Sequence, residues 1–549
     1  MKQSRRWGIY TLWLFTAVLM LLGAHAQRTD ARDARVALPA QDTLPVQAPD
    51  TAQGSLPLQD GDSAAVQPSG PPTTGVGGAQ APIDSAVPAP ARSLRGEATD
   101  TPLHLRLMSL LGVGVLLLIG LALSVNRTAI PWRLVIWGLA LQFIFALLIL
   151  KTPAGEAFFA WINGVIVSLL GFTEAGARFL FGNLVFNSVP VGGGEPGMGP
   201  VVPTAGMVAV TGAFFAFNVL PTIVFFSSLM TMLYYFGVMQ AVVKAFAWVM
   251  MRTMKTSGAE TLNAAGNIFL GQTEAPLLIK PYIAGMTMSE LMAVMTGGFA
   301  TVAGGVMAAY VGLLIFYFPD IAGHLMAASV MSAPAALVFA KIIWPETEEP
   351  ATRGSLRVNV EKIDANVIDA AARGAGEGLH LAMNVGAMLL AFIALIALLN
   401  ALLGWIGGFT HLTDGLQAIG LLGAGQPLSL ESMLGWIFAP LAFVMGVPWA
   451  DAYEIGTLLG VKTAVNEFIA YLSLNALLES GADLSPRSVI IATYALCGFA
   501  NFSSIAIQIG GIGGIAPSRR SDLARIGLRA MIAGTLAAFM TATIAGILI

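Results

Sequence analysis

Eight apolar stretches, each long enough to cross the roughly 30 Å hydrocarbon core of a bilayer, limit what this chain can fold into more than any other feature. They fall near 103–125, 132–150, 210–236, 289–317, 321–342, 379–402, 489–514 and 527–548, separated by short polar breaks. A chain that is 56% hydrophobic and 11% charged does not fit a water-soluble surface, which excludes a soluble enzyme or a nucleic-acid binder. The reading is an all-α polytopic membrane protein. The single cysteine, Cys497, excludes a disulfide framework, and His25, His104, His324, His380 and His411 lack ligand spacing, so metal or haem chemistry is not expected.

The N-terminus has the form of a targeting signal. Lys2, Arg5 and Arg6 precede an apolar run from Trp7 to Gly23, and Ala24-His25-Ala26 supplies the small-x-small spacing of a cleavage site. Residues 1–26 read as a signal peptide; the competing reading is an uncleaved first span. Residues 27–101, rich in Pro, Ala, Gly, Asp, Ser and Gln, bury too little apolar surface to offset ordering entropy and are expected to form a disordered exported tail. Positive residues then choose the orientation. Arg127, Arg133, Lys244, Arg252, Lys255, Lys341, Arg353, Arg357, Lys362, Arg373, Arg519, Arg520, Arg525 and Arg529 fall in breaks of one face, against Lys151, Arg178 and Arg487 on the other. By the positive-inside rule both termini lie outside the cytoplasm, consistent with a multi-pass protein of the plasma (inner) membrane.

Other apolar segments are not read as spans. Residues 155–185 are interrupted by polar residues and suit amphipathic helices at the outer interface, and 238–255, with Lys244, Arg252 and Lys255, suits the inner one. Residues 258–285 and 452–478 flank a polar centre with apolar half-spans, the pattern of a re-entrant hairpin. The first carries Gln272-Thr273-Glu274 and is followed by Thr301-Val302-Ala303-Gly304-Gly305; the second carries Asn466-Glu467 and is followed by Cys497-Gly498-Phe499-Ala500-Asn501-Phe502-Ser503-Ser504. In both halves a hairpin with an acidic tip precedes a helix broken by small and hydroxylated residues. That is the signature of an inverted repeat with a midplane site, and it points to a secondary transporter. Singly, each element has a plainer explanation. Gln272-Thr273-Glu274 suits an interfacial turn, Asn267 a helix cap, Phe499 an apolar helix face, and Asn501 and Ser504 helix-helix contacts. Lys280 and Lys462 read as structural charges, and Asp451 and Glu454 are expected to face water.

The segments implied are 1–26 (signal), 27–101 (tail), 102–236 (spans and outer interfacial helices), 237–343 (first transport half), 344–402 (cytoplasmic loop and span) and 403–549 (second transport half).

Five blocks resemble the concentrative nucleoside transporters, the sodium-coupled nucleoside symporters: Gly266 to Tyr282, Met295 to Tyr310, Ala327 to Glu346, Gly460 to Tyr471 and Cys497 to Ser504. The resemblance covers roughly 103–549 and leaves 1–101 unmatched. It implies a homotrimer with a scaffold and a mobile transport domain, importing nucleosides by sodium symport through alternating access. By the same resemblance Gln272, Thr273 and Glu274 face the nucleobase, while Glu467, Asn501 and Ser504 hold the ribose, with Phe499 packing beside them. Sodium is the co-transported ion, held by the side chains of Asn267 and Thr301 and the carbonyls of Leu270, Thr301 and Val302. No cofactor, enzyme activity or nucleic-acid partner is implied. The alternatives are a proton-coupled nucleoside symporter, an ion channel, or a membrane-embedded enzyme using Glu274 and Glu467 as acid and base.

Overall fold

Helix ends buried in a membrane need internal partners for their unpaired N–H groups, and this chain supplies them from its own sequence. The computed structural model describes residues 101–186, 188–193, 202–211, 215–354, 364–418, 422–423 and 425–549; the signal segment 1–26 and the tail up to residue 100 lie outside the described residues. The peripheral helices are α1 (Leu103–Ala122), α2 (Trp132–Lys151), α3 (Pro153–Phe181), α4 (Leu220–Tyr235) and α5 (Val238–Met254). The first half of the site follows in α6 (Gly258–Gly266), α7 (Met288–Ala300) and α8 (Gly304–Leu314), then α9 (Ile321–Ile343) and the 43-residue α10 (Val367–Phe409). The second half comprises α11 (Leu430–Val444), α12 (Trp449–Ala464), α13 (Glu467–Glu479), α14 (Pro486–Leu496), α15 (Phe502–Ile515) and α16 (Arg520–Leu548).

Burial separates a core from a rim. Of the most apolar 18-residue stretch of α9, 94% is buried, against 6% for α10. Helices α7, α9 and α16 pack on one another and form the centre around which the broken elements sit. On α10, Ala370, Gly374, Gly378 and Ala382 recur every fourth residue and are buried. A Cβ on Gly374 or Gly378 would collide with Ser227, Ser228 or Thr231 of α4, so the small residues set how closely these helices approach. The rest of α10 carries Leu379, Met383, Leu390, Ile393 and Leu398 exposed.

Several expectations change. Residues 153–181 form one continuous helix, long and apolar enough to cross a membrane, rather than short interfacial pieces; its scattered polar residues do not interrupt the helical hydrogen bonding. The span 489–514, expected to be a broken helix, is two helices of 11 and 14 residues separated at Cys497–Asn501. With α7 and α8 taken together, eight helical stretches among the described residues meet the length and apolarity of a span, α3 among them. The all-α reading also has an exception. Ser188–Gly193 and Val202–Val210 pair antiparallel, with Ser188 opposite Val210 and Gly193 opposite Val202, a β-branched segment closed into a hairpin.

Three charges placed in loops or water by sequence are buried. Lys341, in the last turn of α9, lies 2.7 Å from a Glu260 oxygen and donates to Ser289 Oγ at 2.8 Å. Arg487 donates to the Gly446 carbonyl at 2.7 Å and to Ser109 Oγ at 2.9 Å. Asp451 is 7% exposed and accepts from Ser485 Oγ (2.7 Å), Ser488 Oγ (2.5 Å) and the Ser485 N–H (3.1 Å). These contacts reveal a matched device. In the first half Ser257, the N-cap of α6, donates to Glu290 in the first turn of α7 at 2.6 Å. In the second, Ser485, the N-cap of α14, donates to Asp451 in the first turn of α12. A hydroxyl and a carboxylate thus link the start of α6 to the start of α7, and likewise the start of α12 to the start of α14.

Candidate functional site

Two interruptions of helical structure define the site. Helix α7 stops at Ala300 and α8 begins at Gly304; α14 stops at Leu496 and α15 begins at Phe502. The two breaks press on each other. The Phe499 N–H donates to the Thr301 carbonyl at 3.3 Å. Gly498, at φ +129°, sits so close that a Cβ there would lie 2.8 Å from the carbonyl oxygens of both Phe299 and Ala300. Only glycine meets both the positive φ and that contact.

Beside the second break, Asn466 caps α13 by accepting from the Ile469 N–H at 2.9 Å, which places Glu467 in the first turn of that helix. Glu467 is 5% exposed. One of its oxygens accepts from Tyr310 Oη of α8 at 3.0 Å and the other from Asn501 Nδ2 at 2.8 Å. Asn501, the N-cap of α15, in turn accepts from the Ser504 N–H at 2.9 Å and from Ser503 Oγ at 2.7 Å. Ser504 Oγ accepts from Gln272 Nε2 at 3.1 Å, and Gln272 Oε1 accepts from Gln508 Nε2 at 3.0 Å. A single polar chain therefore runs from Gln508 through Gln272, Ser504, Asn501 and Glu467 to Tyr310. It joins the loop between α6 and Pro276 to both elements of the second half. An ionised carboxylate has more acceptor sites than its two present donors use, so Glu467 retains capacity for further hydroxyl donors.

Of the residues singled out by sequence, Gln272, Ser504, Asn501 and Glu467 belong to this chain. Thr273 packs against Gly511 of α15. Phe499 is partly buried beside them and contributes its backbone to the contact between breaks. Glu274 is exposed and turns an oxygen back to the Gly271 N–H at 3.2 Å, joining none of the hydrogen bonds of the chain. Tyr310 and Gln508 were not singled out. Gln508 lies one turn beyond Ser504 on α15, so the i, i+4 rule places it on the same face. Tyr310 is brought in only by the packing of α8, where its ring stacks on Tyr471 at 4.3 Å.

The second cluster is Asn267, Leu270, Thr301 and Val302. Asn267 is fully buried as the C-cap of α6, and neither Oδ1 nor Nδ2 has a hydrogen-bond partner. A buried carboxamide without partners costs free energy, so its oxygen suits a ligand from outside the chain. The last turn of α7 lies against it: a Cβ on Gly297 would be 3.0 Å from Asn267 Nδ2. Thr301 Oγ1 donates to the Gly297 carbonyl at 2.8 Å, which leaves its lone pairs available. Leu270 and Val302 are buried as well. Neutral oxygens at an unwound helix end fit a hard monovalent cation.

Comparison with known proteins gives the family. Residues 324–546 match the model described as the C-terminus of the Na+ dependent nucleoside transporter, residues 111–184 its N-terminus, and residues 216–317 a nucleoside recognition gate. An uncharacterized transporter of Haemophilus influenzae is 46% identical over 446 residues, 81% of this chain and 98% of that one. The chain belongs to the sodium-dependent nucleoside transporter family. Solute carrier family 28 member 3 of Mus musculus is 42% identical over 455 residues; the match takes in 80% of this chain and 59% of that longer one. The structure of CNTnw in an inward-facing, substrate-bound state is similar at a TM-score of 0.69 and 42% identity, over 81% of this chain and 98% of that one. An outward-facing CNTnw variant gives a TM-score of 0.70 at 43% identity, with the same coverage. The family and these relatives are transporters, not enzymes.

Proposed function

We propose that this protein imports nucleosides by sodium symport through alternating access. The observation that carries the reading is the chain of hydrogen bonds from Gln272 to Glu467, beside a buried Asn267 whose side chain has no protein partner. Gln272, Thr273 and Glu274 face the nucleobase, because a carboxamide presents a donor and an acceptor side by side to the edge of a base. Glu467, Asn501 and Ser504 hold the ribose, the carboxylate accepting from sugar hydroxyls in charge-assisted bonds, and Phe499 packs against the bound nucleoside. Buried acceptors of this kind reject analogues that lack the hydroxyl far more strongly than an apolar pocket rejects a missing methylene. Sodium is held by the side chains of Asn267 and Thr301 with the carbonyls of Leu270, Thr301 and Val302.

The elements Gly258–Ile283 and Trp449–Glu479 act as re-entrant hairpins of an inverted repeat. The equivalent staples Ser257–Glu290 and Ser485–Asp451 support that relation. The exposed apolar length of α10 supports its role as scaffold between three copies of the chain. The protein spans the plasma (inner) membrane with both ends outside the cytoplasm, the sense given by its positive residues.

One charge moved through ~100 mV is worth about 2.3 kcal/mol and a tenfold sodium gradient adds about 1.4 kcal/mol. Together these accumulate substrate several hundredfold. Uptake of labelled uridine into proteoliposomes under imposed gradients tests the reading. Equal rates with sodium, potassium or a proton gradient alone reject sodium coupling, and recovery of chemically altered uridine rejects transport without catalysis.

A further inference from the structure

Helix α6 is buried over its whole length, Gly258–Gly266, yet it carries a polar line. Ser257, Glu260, Asn263 and Asn267 are spaced by three, three and four residues, which the helical repeat sets on one face. These four residues are 0–3% exposed and meet a matching line on α7. Ser257 Oγ donates to Glu290 at 2.6 Å, Asn263 Nδ2 donates to the Val294 carbonyl at 3.3 Å, and Gly297 faces both carboxamides. One turn beyond Gly297 stands Thr301, at the proposed sodium seat. The seam is thus continuous from that seat to the first turns of both helices.

Most polar groups of α6 have work inside the fold. Ser257 and Glu260 form the capping box, and Thr261 Oγ1 donates to the Ser257 carbonyl at 2.5 Å. The Asn263 oxygen is the exception. Its amide nitrogen is fixed on Val294, while Oδ1 is buried and accepts from no group among the described residues, which costs free energy. Asn267, one turn or about 6 Å further along the axis, also holds out an unused oxygen. Gly297 stands between the two: a Cβ there would lie 3.0 Å from Asn267 Nδ2 and 3.5 Å from Asn263 Nδ2, so a side chain would fill the space that both carboxamides border. The charges give the line a direction. The starts of α6 and α7 carry helix dipoles that oppose a cation, but Glu260 and Glu290 lie in those first turns. Glu346 accepts from Thr287 Oγ1 at 2.8 Å, and Lys341 Nζ lies 2.7 Å from Glu260 and 3.3 Å from Glu346. Three carboxylates there meet one ammonium.

We infer that Asn263 Oδ1 is a transient sodium position, the step by which the ion leaves the seat at Asn267 for the cytoplasm along the seam between α6 and α7. This rests on the proposed seat at Asn267 and on the proposed sense of insertion. A cation stripped of water is costly to hold against apolar groups, and without Asn263 the turn below the seat would offer it only Ala264 and Ala265, both buried. The Asn263 oxygen supplies a polar contact midway, and the carboxylates at the start of the two helices draw the ion onward.

The test uses the full-length protein in proteoliposomes, oriented as in the cell, and two variants of nearly equal volume. Asn263→Thr keeps an oxygen and Asn263→Val does not. Net uptake of labelled uridine into sodium-free vesicles needs ion release at every turnover, whereas uridine exchange with saturating sodium and uridine on both sides needs no net release. Asn263→Val is expected to lower net uptake about tenfold, the factor that one lost contact to a charged group is worth. Its exchange rate and its external sodium requirement are expected to stay near wild type, and Asn263→Thr to restore net uptake. Wild-type net uptake in the valine variant overturns the inference, as does a threonine variant no better than valine. Exchange that falls in step with net uptake, or a sodium requirement that rises by the same factor, makes Asn263 a support of the seat and overturns it too. Should the valine chain fail to reconstitute, Gly297→Ala, which puts a methyl between the two carboxamides, carries the same test: net uptake lowered with exchange kept supports the route, and unchanged net uptake or equal losses overturn it. Wild-type uptake indifferent to sodium is a separate outcome, which rejects the symport reading itself.

Discussion

Replacing Glu467 with glutamine removes a charge while keeping the shape, and the surroundings predict who feels the loss. Both present partners, Tyr310 Oη and Asn501 Nδ2, are donors, and an amide offers only one accepting atom. Asn501 cannot turn over cheaply, because its Oδ1 already accepts from the Ser504 N–H and from Ser503 Oγ. The tyrosine hydroxyl can rotate and accept instead. Glutamine therefore settles with Oε1 toward Asn501 and Nε2 toward Tyr310, and the fold survives. The substrate finds a different site: a neutral acceptor where two sugar hydroxyls need a charged one. Hydrogen bonds to charged groups net about 1.5–3 kcal/mol against about 1 kcal/mol for neutral ones. The loss is then about 0.5–2 kcal/mol per hydroxyl, or about 1–4 kcal/mol for both. At about 1.4 kcal/mol per decade, uridine kcat/KM falls by about 5- to 700-fold. Initial uptake rates in proteoliposomes measure it, with 2′- and 3′-deoxyuridine as controls whose relative penalty shrinks in the variant. A melting temperature near that of wild type, together with unchanged uridine kinetics, would refute the assignment of Glu467 to the ribose.

Asn267→Ala is expected to raise the sodium concentration for half-maximal uptake while leaving the uridine preference order intact; an unchanged sodium requirement removes Asn267 from the ion seat. Lys341→Met strands Glu260 in a buried site and should cost about 3–5 kcal/mol, the usual penalty for breaking a buried pair. Thermal unfolding should show that loss and a partial recovery in the Lys341→Met/Glu260→Gln double variant, and no loss in the single variant would mean that the pair is not buried as described. Because Cys497 is fully buried, cysteines introduced at Leu379, Met383, Leu390 or Leu398 of α10 report on contacts between copies. Oxidation should give disulfide-linked dimers from at least one position, and four silent positions would count against α10 as the trimer scaffold.

The apolar runs were legible from sequence because each is a local property. The cost of unsatisfied backbone in lipid turns a stretch of about 20 apolar residues into a helix wherever it packs, so α1, α2 and α9 lie where expected, while α16 starts at Arg520 rather than 527. Caps are local too, yet Asn501 read as a helix-helix contact or a sugar ligand; in the structure Asn466 and Asn501 start α13 and α15 through side chains that bond three residues on. The interruptions at Thr301–Ala303 and Cys497–Asn501 were also readable, since small and polar residues inside an apolar run have few other reasons to be there.

What the linear chain could not declare is which charge meets which partner. Lys341, Asp451 and Arg487 read as loop or surface charges because burial of an ion is decided by donors and acceptors far away in sequence: Glu260 lies 81 residues from Lys341 (341 − 260), and Ser485 lies 34 from Asp451. Tyr310 enters the site only through the stacking of α8 on α13. The continuity of α3 depended on helical hydrogen bonding that tolerates isolated polar residues. Secondary structure followed from the solvent that each segment must satisfy by itself, whereas the site arose where two breaks, remote in sequence, had to satisfy each other.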